Sequence, residues 1–548
     1  MKLRFAVVVF ICASGLPAQQ ETPMFPRASY FRKMFSNPST SVQLAPPAKL
    51  ADSVVEGKLE LSLRAYLDLV MANNTDISLQ RISVESSRNA IMSAFGQFDP
   101  RLTVGAGYNH SAVPAADQLQ GANVAKSTSF GPMSFTYNQL LDNGTSFNVR
   151  FNGTKSSSNN AFSTFNPAFS SNFSAGFTQP LLRGRSPYIT RLPITIARAN
   201  LRTSDLNIRN QIMSLIQGAE SAYWDVIEAR ENLRVQQESL AMRKQSLERS
   251  QRELELGAIP QLETYQPQAD YASAEIQVSQ SKFRLAQLED VLRRQIGADL
   301  DPKFRDVPIV LTETVLPPTE TTPFDREALV QKAISMRPDL LSSRIGLEID
   351  DLNIRSASDQ LRPNLSLTGS YQSNGRGGNQ YLKTGLGSDQ ITSMIPGGLF
   401  DALSEVFGFN NTTYSMGLTL NLPLRDRTGQ ARLADNLLRK KQDTLGLRRQ
   451  EQGVRLDVLN AITNVESSRE SVKLAIIARD LAQKQLDADK QRYDLGVIQM
   501  YFVLDSQTRL TAAESRVVTE SINYRTNQLN LLRVVGTLLD ERGIAIQY

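Results

Sequence analysis

The chain is written twice. Sliding the segment 65–108 forward by 263 positions, without a gap, carries Ala65, Asp76, Arg81, Glu85, Gln97, Pro100 and Tyr108 onto Ala328, Asp339, Arg344, Glu348, Gln360, Pro363 and Tyr371. A shift of 239 carries Ala222, Arg230, Glu231, Gly257 and Gln268 onto Ala461, Arg469, Glu470, Gly496 and Gln507. Repeats of about 240 to 260 residues are far longer than a solenoid unit, so they predict two similar halves around a pseudo-symmetry axis. Such halves suit a ring or a tube.

At 548 residues the chain has the length of three or four globular domains, yet one Trp and 7% aromatics are thin filling for so many cores. An elongated architecture fits better. Lys2 and Arg4, the apolar run from Phe5 to Cys12 and the small residues up to Ala18 predict a signal peptide over 1–18. Cys12 is the only cysteine, and Phe10 and Ile11 before it lack the small residue a lipidated cysteine wants. The exported chain is thus expected to have no disulfide, thiolate nucleophile or thiolate metal site. That points to the periplasm or the outer membrane. No later stretch approaches the roughly 18 uninterrupted apolar residues of a membrane helix, so any membrane span must use β-strands. The net charge of +5 arises from 60 basic and 55 acidic residues scattered along the chain, which argues against nucleic-acid binding.

Residues 19–58, rich in Pro and Ser, read as an extended leader. The first half spans 59–300, opening with helices expected near 59–73 and 76–98 that stop before Pro100. There the period changes from 3.6 to 2. Leu102, Val104, Ala106 and Tyr108 alternate with polar or tiny residues, as do Phe173, Ala175 and Phe177, then Leu365, Leu367 and Tyr371, then Tyr414, Met416, Leu418 and Leu420. Strands are predicted near 100–111, 171–180, 363–373 and 413–423. Their apolar sides are aromatic-rich and their polar sides nearly uncharged, the pattern of a transmembrane barrel strand with lipid on one face and water on the other. Met133, Phe135, Tyr137 and Phe147, Val149, Phe151, turned by Asp142-Asn143-Gly144, predict an extra hairpin over 131–155 in the first half only. It either extends the mouth of a barrel or enters its wall.

The helical hairpins follow, over 194–297 and 430–538. Residues 194–256 and 430–495 contain no turn cluster, and at 1.5 Å per residue each extends for roughly 95–100 Å. Gly257 and Gly496 then turn the chain into helices of about 37–40 residues, 261–297 and 500–538. The 76–98 and 261–297 helices together match one long helix, so they are expected to stack end to end beside it. Residues 301–324, with Pro302, Pro308, Pro317, Pro318 and Pro323, read as a linker wrapped on the outside. The second half then covers 325–540, and 541–548 is a tail.

This order of elements resembles the TolC-like outer-membrane efflux family over about 59–540. Arg492-Tyr493-Asp494-Leu495-Gly496 through Val503-Leu504-Asp505-Ser506-Gln507 resembles the family's hairpin tip, with Leu254 to Gln268 as its weaker partner. Gln179-Pro180-Leu181-Leu182 and Asn421-Leu422-Pro423-Leu424 resemble its strand-to-helix junctions, and Pro100 and Pro363 precede the two other strands. The resemblance implies an α+β membrane protein: a homotrimer whose chains each add about four strands to one barrel, continued by a helical coiled-coil tunnel into the periplasm. It further implies a passive export channel without catalysis or cofactor, acting with a periplasmic adaptor and an inner-membrane pump on small molecules or polypeptides. Asp505 matches an aperture aspartate and Glu263 an acidic tip position, while Phe502 stands where many members carry Asp. Three copies of Asp505 would ring a narrow mouth and attract cations. The alternative for both carboxylates is a solvated helix start, stabilised by the helix dipole.

A periplasmic adaptor or structural coiled-coil protein is the rival reading; it would have one helical hairpin and no lipid-type strands. The remaining candidates reduce to structure. His110 is the only histidine, which leaves no His-based triad or metal cluster, and it is expected at a strand end or in a loop. Trp224 reads as packing. Gly375-Arg376-Gly377-Gly378 opens no helix, so it is expected in an extracellular loop rather than at a phosphate.

Overall fold

The structure, a computed structural model, describes residue 48 and residues 50–115, 123–160, 162–315, 324–385 and 390–545. The segment 1–18, nearly all of the leader, and Pro317, Pro318 and Pro323 lie outside the described residues.

Two helices run without a break, α3 (Leu192–Glu255) with 64 residues and α8 (Arg427–Asp494) with 68. They follow α1 (Leu63–Asn73) and α2 (Thr75–Phe95), and each returns through a shorter helix, α4 (Tyr265–Gln295) or α9 (Met500–Val535). Between the hairpins lie α5 (Arg326–Met336), α6 (Pro338–Gln360) and α7 (Leu399–Phe407). Each long helix hides a narrow stripe. On α3 it includes Ile208, Ile212, Ile216, Tyr223 and Ile227, and on α8 Val454, Val458, Ala461, Val465 and Val472, near the i, i+4, i+7 spacing of one helical face.

Shorter helices do stack end to end along the long ones. Asn74 to Asp76 at the start of α2 share a cavity with Gln295 and Gly297 at the end of α4, against Ser214 to Gly218 of α3. In the second half Gly536 ends α9 with φ +84, and a Cβ there would stand 3.4 Å from the backbone of Arg337, the residue before α6. A Cβ at that distance is an ordinary contact, so it is the left-handed turn, which glycine adopts without strain, that calls for glycine here.

Where these joints occur, the main core gathers Tyr66, Ile212, Tyr223, Trp224, Leu292 and Leu538. A small sheet closes it. Strand β1 (Val54–Val55) pairs with β2 (Lys58–Leu61), and β2 pairs in parallel with β8 (Ile309–Leu311). Two expectations are corrected here. The first helix does not begin near Leu59: Leu59 and Leu61 point inward between exposed Lys58 and Glu60, a period of two that helix spacing conceals. Nor does the linker simply wrap the outside, because Ile309 and Leu311 are buried and the Ile309 carbonyl accepts from Arg230 Nη2 at 2.9 Å.

The second sheet has eight strands among the described residues: β3 (Arg101–Gly105), β4 (Tyr108–Pro114), β5 (Val124–Leu140), β6 (Ser146–Ser158), β7 (Phe165–Pro180), β9 (Asn364–Lys383), β10 (Ile391–Ile395) and β11 (Thr412–Asn421). They run in the order β3, β5, β6, β7, β9, β10, with β4 continuing along β5 and β11 along β9. Of these, β3 with β4, β7, β9 and β11 cover the four strands predicted from the sequence. Strands β5 and β6 alternate like their neighbours, so they insert between β3 and β7 instead of projecting from the sheet. Register then fixes the faces. Val104, Phe135, Phe151, Phe173 and Ser373 stand side by side, as do Tyr137, Val149, Ala175, Tyr371 and Tyr414. The opposite face carries Thr136, Arg150, Ser174, Gln372 and Thr413 at the matching level and encloses a concavity of about 610 Å³. His110 sits inside β4, paired with Thr128, not at a strand end.

Gly375, Gly377 and Gly378 belong to β9 and not to a loop. Helix α7 lies directly on them: an added Cβ would meet the Ala402 carbonyl oxygen at 1.9 Å from Gly375, and that of Gly398 at 2.2 Å from Gly377. Glycine is there for close approach, a role the sequence pattern alone does not distinguish from loop flexibility.

Candidate functional site

The strand ends and the hairpin tips are the two places where the chain changes direction under strict sequence control. Pro100 precedes β3, Pro180 ends β7, Pro363 precedes β9 and Pro423 stands two residues beyond β11, so all four prolines mark the same end of the sheet. There the ladder stops, and a residue without an N–H loses nothing.

At the opposite end of the helices the two tips have the same bonding. Gly257 (φ +74) donates to the Leu254 carbonyl at 2.9 Å and Ala258 to that of Glu253 at 2.8 Å. Gly496 (φ +71) donates to Tyr493 at 2.9 Å and Val497 to Arg492 at 2.9 Å. This is the Schellman closure, which satisfies the last carbonyls of a helix and needs a left-handed residue at the turn. The 239-residue shift relates every one of these positions.

The predicted carboxylates do not form one cluster within the chain. Asp505 lies in the second turn of α9 and is paired with Arg509 at 2.9 Å, one turn onward, a partner the sequence reading missed. Phe502 is half exposed and meets Tyr501 edge to face at 5.7 Å. Glu263 is exposed in a short 3-10 turn, Gln261–Thr264, before α4.

What joins the tips is a set of residues that sequence reasoning passed over. The Tyr493 hydroxyl of the second hairpin donates to Glu253 Oε2 of the first at 2.6 Å. Arg249 ion-pairs with Glu253 at 3.0 Å and Asp494 at 2.6 Å, and its guanidinium lies 4.5 Å from the Tyr493 ring centre. Burial, then the Glu253 carboxylate on its hydroxyl, push Tyr493 up to about 12. One signal was available: the 239 shift sets Glu253 on Arg492 and Arg249 on Ala488, so the tips differ in charge where they otherwise match.

The hairpins differ in how they are glued. Within the second, Leu486, Val503 and Leu510 form an apolar cluster. Between α3 and α9 the contacts are mixed: towards the tips Gln507 Nε2 donates to Ser246 Oγ at 3.1 Å and Thr511 Oγ1 to Ser239 Oγ at 3.0 Å, while Met242 of α3 packs on the second hairpin's cluster and Ile522 and Leu529 of α9 share the main core with α3. Asp489, which accepts from Ser506 and Gln485, is held below the usual carboxylate range by those bonds.

Among the described residues no helix is long and apolar enough to cross a membrane, and no group of His, Cys, Asp and Glu is arranged to hold a metal. A family model described as outer membrane efflux protein matches residues 66–298 and 329–537. The outer membrane protein TolC of Vibrio cholerae serotype O1 is 26% identical over 385 residues, covering 68% of this chain and 79% of that one. A membrane protein of Pseudomonas aeruginosa has a similar fold, with TM-score 0.61 and 18% identity over 92% of this chain and 99% of its own. The CmeC outer membrane channel of Campylobacter jejuni gives TM-score 0.59 and 15% identity, over 91% of this chain and 94% of that structure.

Proposed function

The chain belongs to the outer membrane efflux protein family and acts as an outer-membrane export channel, and from that premise we propose that three copies close one passive duct. One observation carries the reading: a sheet that is aromatic on one face and uncharged-polar over most of the other, with open edges. In lipid every backbone N–H and C=O needs a partner, so the β3/β4 edge of one copy must be met by the β11/β10 edge of the next. Because β4 continues β3 and β10 continues β11, the described residues of each chain supply six columns of strand. Three copies then make a wall of about eighteen, wider than the twelve the family resemblance suggests.

Beyond the prolines the helices carry the duct into the periplasm. The tips at Gly257 and Gly496 form its inner mouth, where Asp505, Glu263 and Phe502 from three copies narrow the passage. The Asp505–Arg509 pair offsets part of that negative charge, so the mouth selects cations less strongly than a bare aspartate ring would. Tyr493–Glu253 and Arg249–Asp494 hold the tips at rest. A periplasmic adaptor docking in the grooves between hairpins releases them, and an inner-membrane pump supplies the cargo, small molecules or polypeptides. The duct contributes no catalysis and needs no cofactor. The rival adaptor reading has no use for strands of this kind.

Fractionation tests the proposal. A heat-modifiable trimer in the outer membrane that conducts ions across planar bilayers is expected, and a monomer released by osmotic shock overturns it.

A further inference from the structure

Among the described residues helix α7 lies on the aromatic face of the large sheet, and its own apolar surface is only half used. Ala402 and Val406 are fully buried against β9 and β7. Leu399, Phe400, Phe407 and Phe409 remain 44%, 85%, 61% and 51% exposed. Its polar groups are already employed: Asp401 accepts from the Gly398 N–H at 2.6 Å and Glu405 from the Arg376 N–H at 2.9 Å. Phe407 stacks on Phe151 at 6.2 Å and Phe409 approaches Tyr371 at 6.1 Å, so the exposed residues extend the sheet's aromatic face without a break. In water this would be an unstable surface.

Height decides which part of a membrane meets it. Gly375 is eleven residues along β9 from Asn364; at about 3.3 Å per residue and a barrel tilt of about 40°, that is roughly 28 Å above the proline end. The apolar band of an outer-membrane barrel is only about 25 Å tall. The helix therefore sits at the far boundary of the hydrocarbon, where amphipathic helices and aromatic side chains settle. Lys155, at the level of Gly377 on the same face and 5.6 Å from the Phe169 ring centre, is placed for lipid phosphate. Lys126 lies farther out on that face.

We propose that α7 is a lipid-interface anchor, inserting Phe400 and Phe407 among the acyl chains just below the phosphates of the outer leaflet and fixing the depth of the duct. The inference rests on the barrel reading above, and one experiment separates the two. Phe400→Trp and Leu418→Trp variants are reconstituted in phosphatidylcholine vesicles whose acyl chains carry bromine at shallow or deep positions. Trp224, buried among the helices, serves as the unquenched reference. The expected result is loss of most of the new emission for both variants, with shallow bromine the stronger quencher at position 400 and deep bromine at 418. Quenching at 418 but not at 400 overturns the anchor and leaves the barrel standing. Quenching at neither overturns both.

Discussion

The Tyr493 hydroxyl donates to Glu253 Oε2 at 2.6 Å across 240 residues of sequence, tying one hairpin tip to the other. A hydrogen bond to a charged group contributes about 1.5–3 kcal/mol, whereas an exposed ion pair contributes about 0.2–1 kcal/mol. Arg249–Asp494 is of the second kind, with side chains 43% and 58% exposed. Tyr493→Phe is thus expected to shift the closed-to-open ratio about tenfold or more, and Asp494→Asn only a few-fold. Single-channel open probability checks the order, and the reverse order removes Tyr493 as the principal latch.

The same tyrosine sets an alkaline limit. Its hydroxyl titrates near 12 in the folded tip against an ordinary 10.0, so between these values the folded state keeps a proton that the unfolded chain has lost. Stability from this group is complete below pH 10 and is lost as the pH rises through about 12. Asp489 has the opposite sign: its lowered pKa stabilises above the usual 3.8, and that contribution disappears as the pH falls through the folded value. The unfolding free energy from chemical denaturation at fixed pH values should carry no contribution from these two groups' titration between these limits, and Tyr493→Phe should flatten the alkaline limb alone.

Asp505 and Arg509 form an exposed pair at 2.9 Å, so removing either is expected to change stability by less than about 0.5 kcal/mol. Their effects on the mouth should oppose each other. Asp505→Asn is expected to reduce cation preference in planar bilayers, and Arg509→Gln to increase it. Reversal potentials unchanged in both variants would show that this carboxylate does not line the passage.

A Cβ added at Gly257 or Gly496 would have nothing within 4 Å, so substitution meets no clash and its cost is conformational only. With φ +74 and +71, alanine at either tip is expected to cost about 1–2 kcal/mol, and asparagine less. Thermal unfolding of single and double variants checks this. The two costs are expected to depart from additivity, because Tyr493 and Glu253, whose carbonyls close the two turns, are hydrogen-bonded to each other.

The sequence on its own determined whatever is periodic or local. Duplication placed two long helices and two glycine turns, because a 3.6-residue stripe and a left-handed C-cap each need only neighbouring residues. Period-2 alternation in Leu102 to Tyr108 or Tyr414 to Leu420 separated the aromatic face from the polar one, because side chains alternate along every strand. Tertiary structure decided what depends on residues far apart. Leu59 and Leu61 became a strand only because Ile309 to Leu311 arrived to pair with them. The 131–155 segment entered the sheet because β3 and β7 left room for two more strands. Gly375 and Gly377 resembled a loop until α7 occupied the space their missing side chains leave. The tip latch of Arg249, Glu253, Tyr493 and Asp494 was invisible for the same reason: its halves lie about 240 residues apart, and only helix packing sets the distance between them.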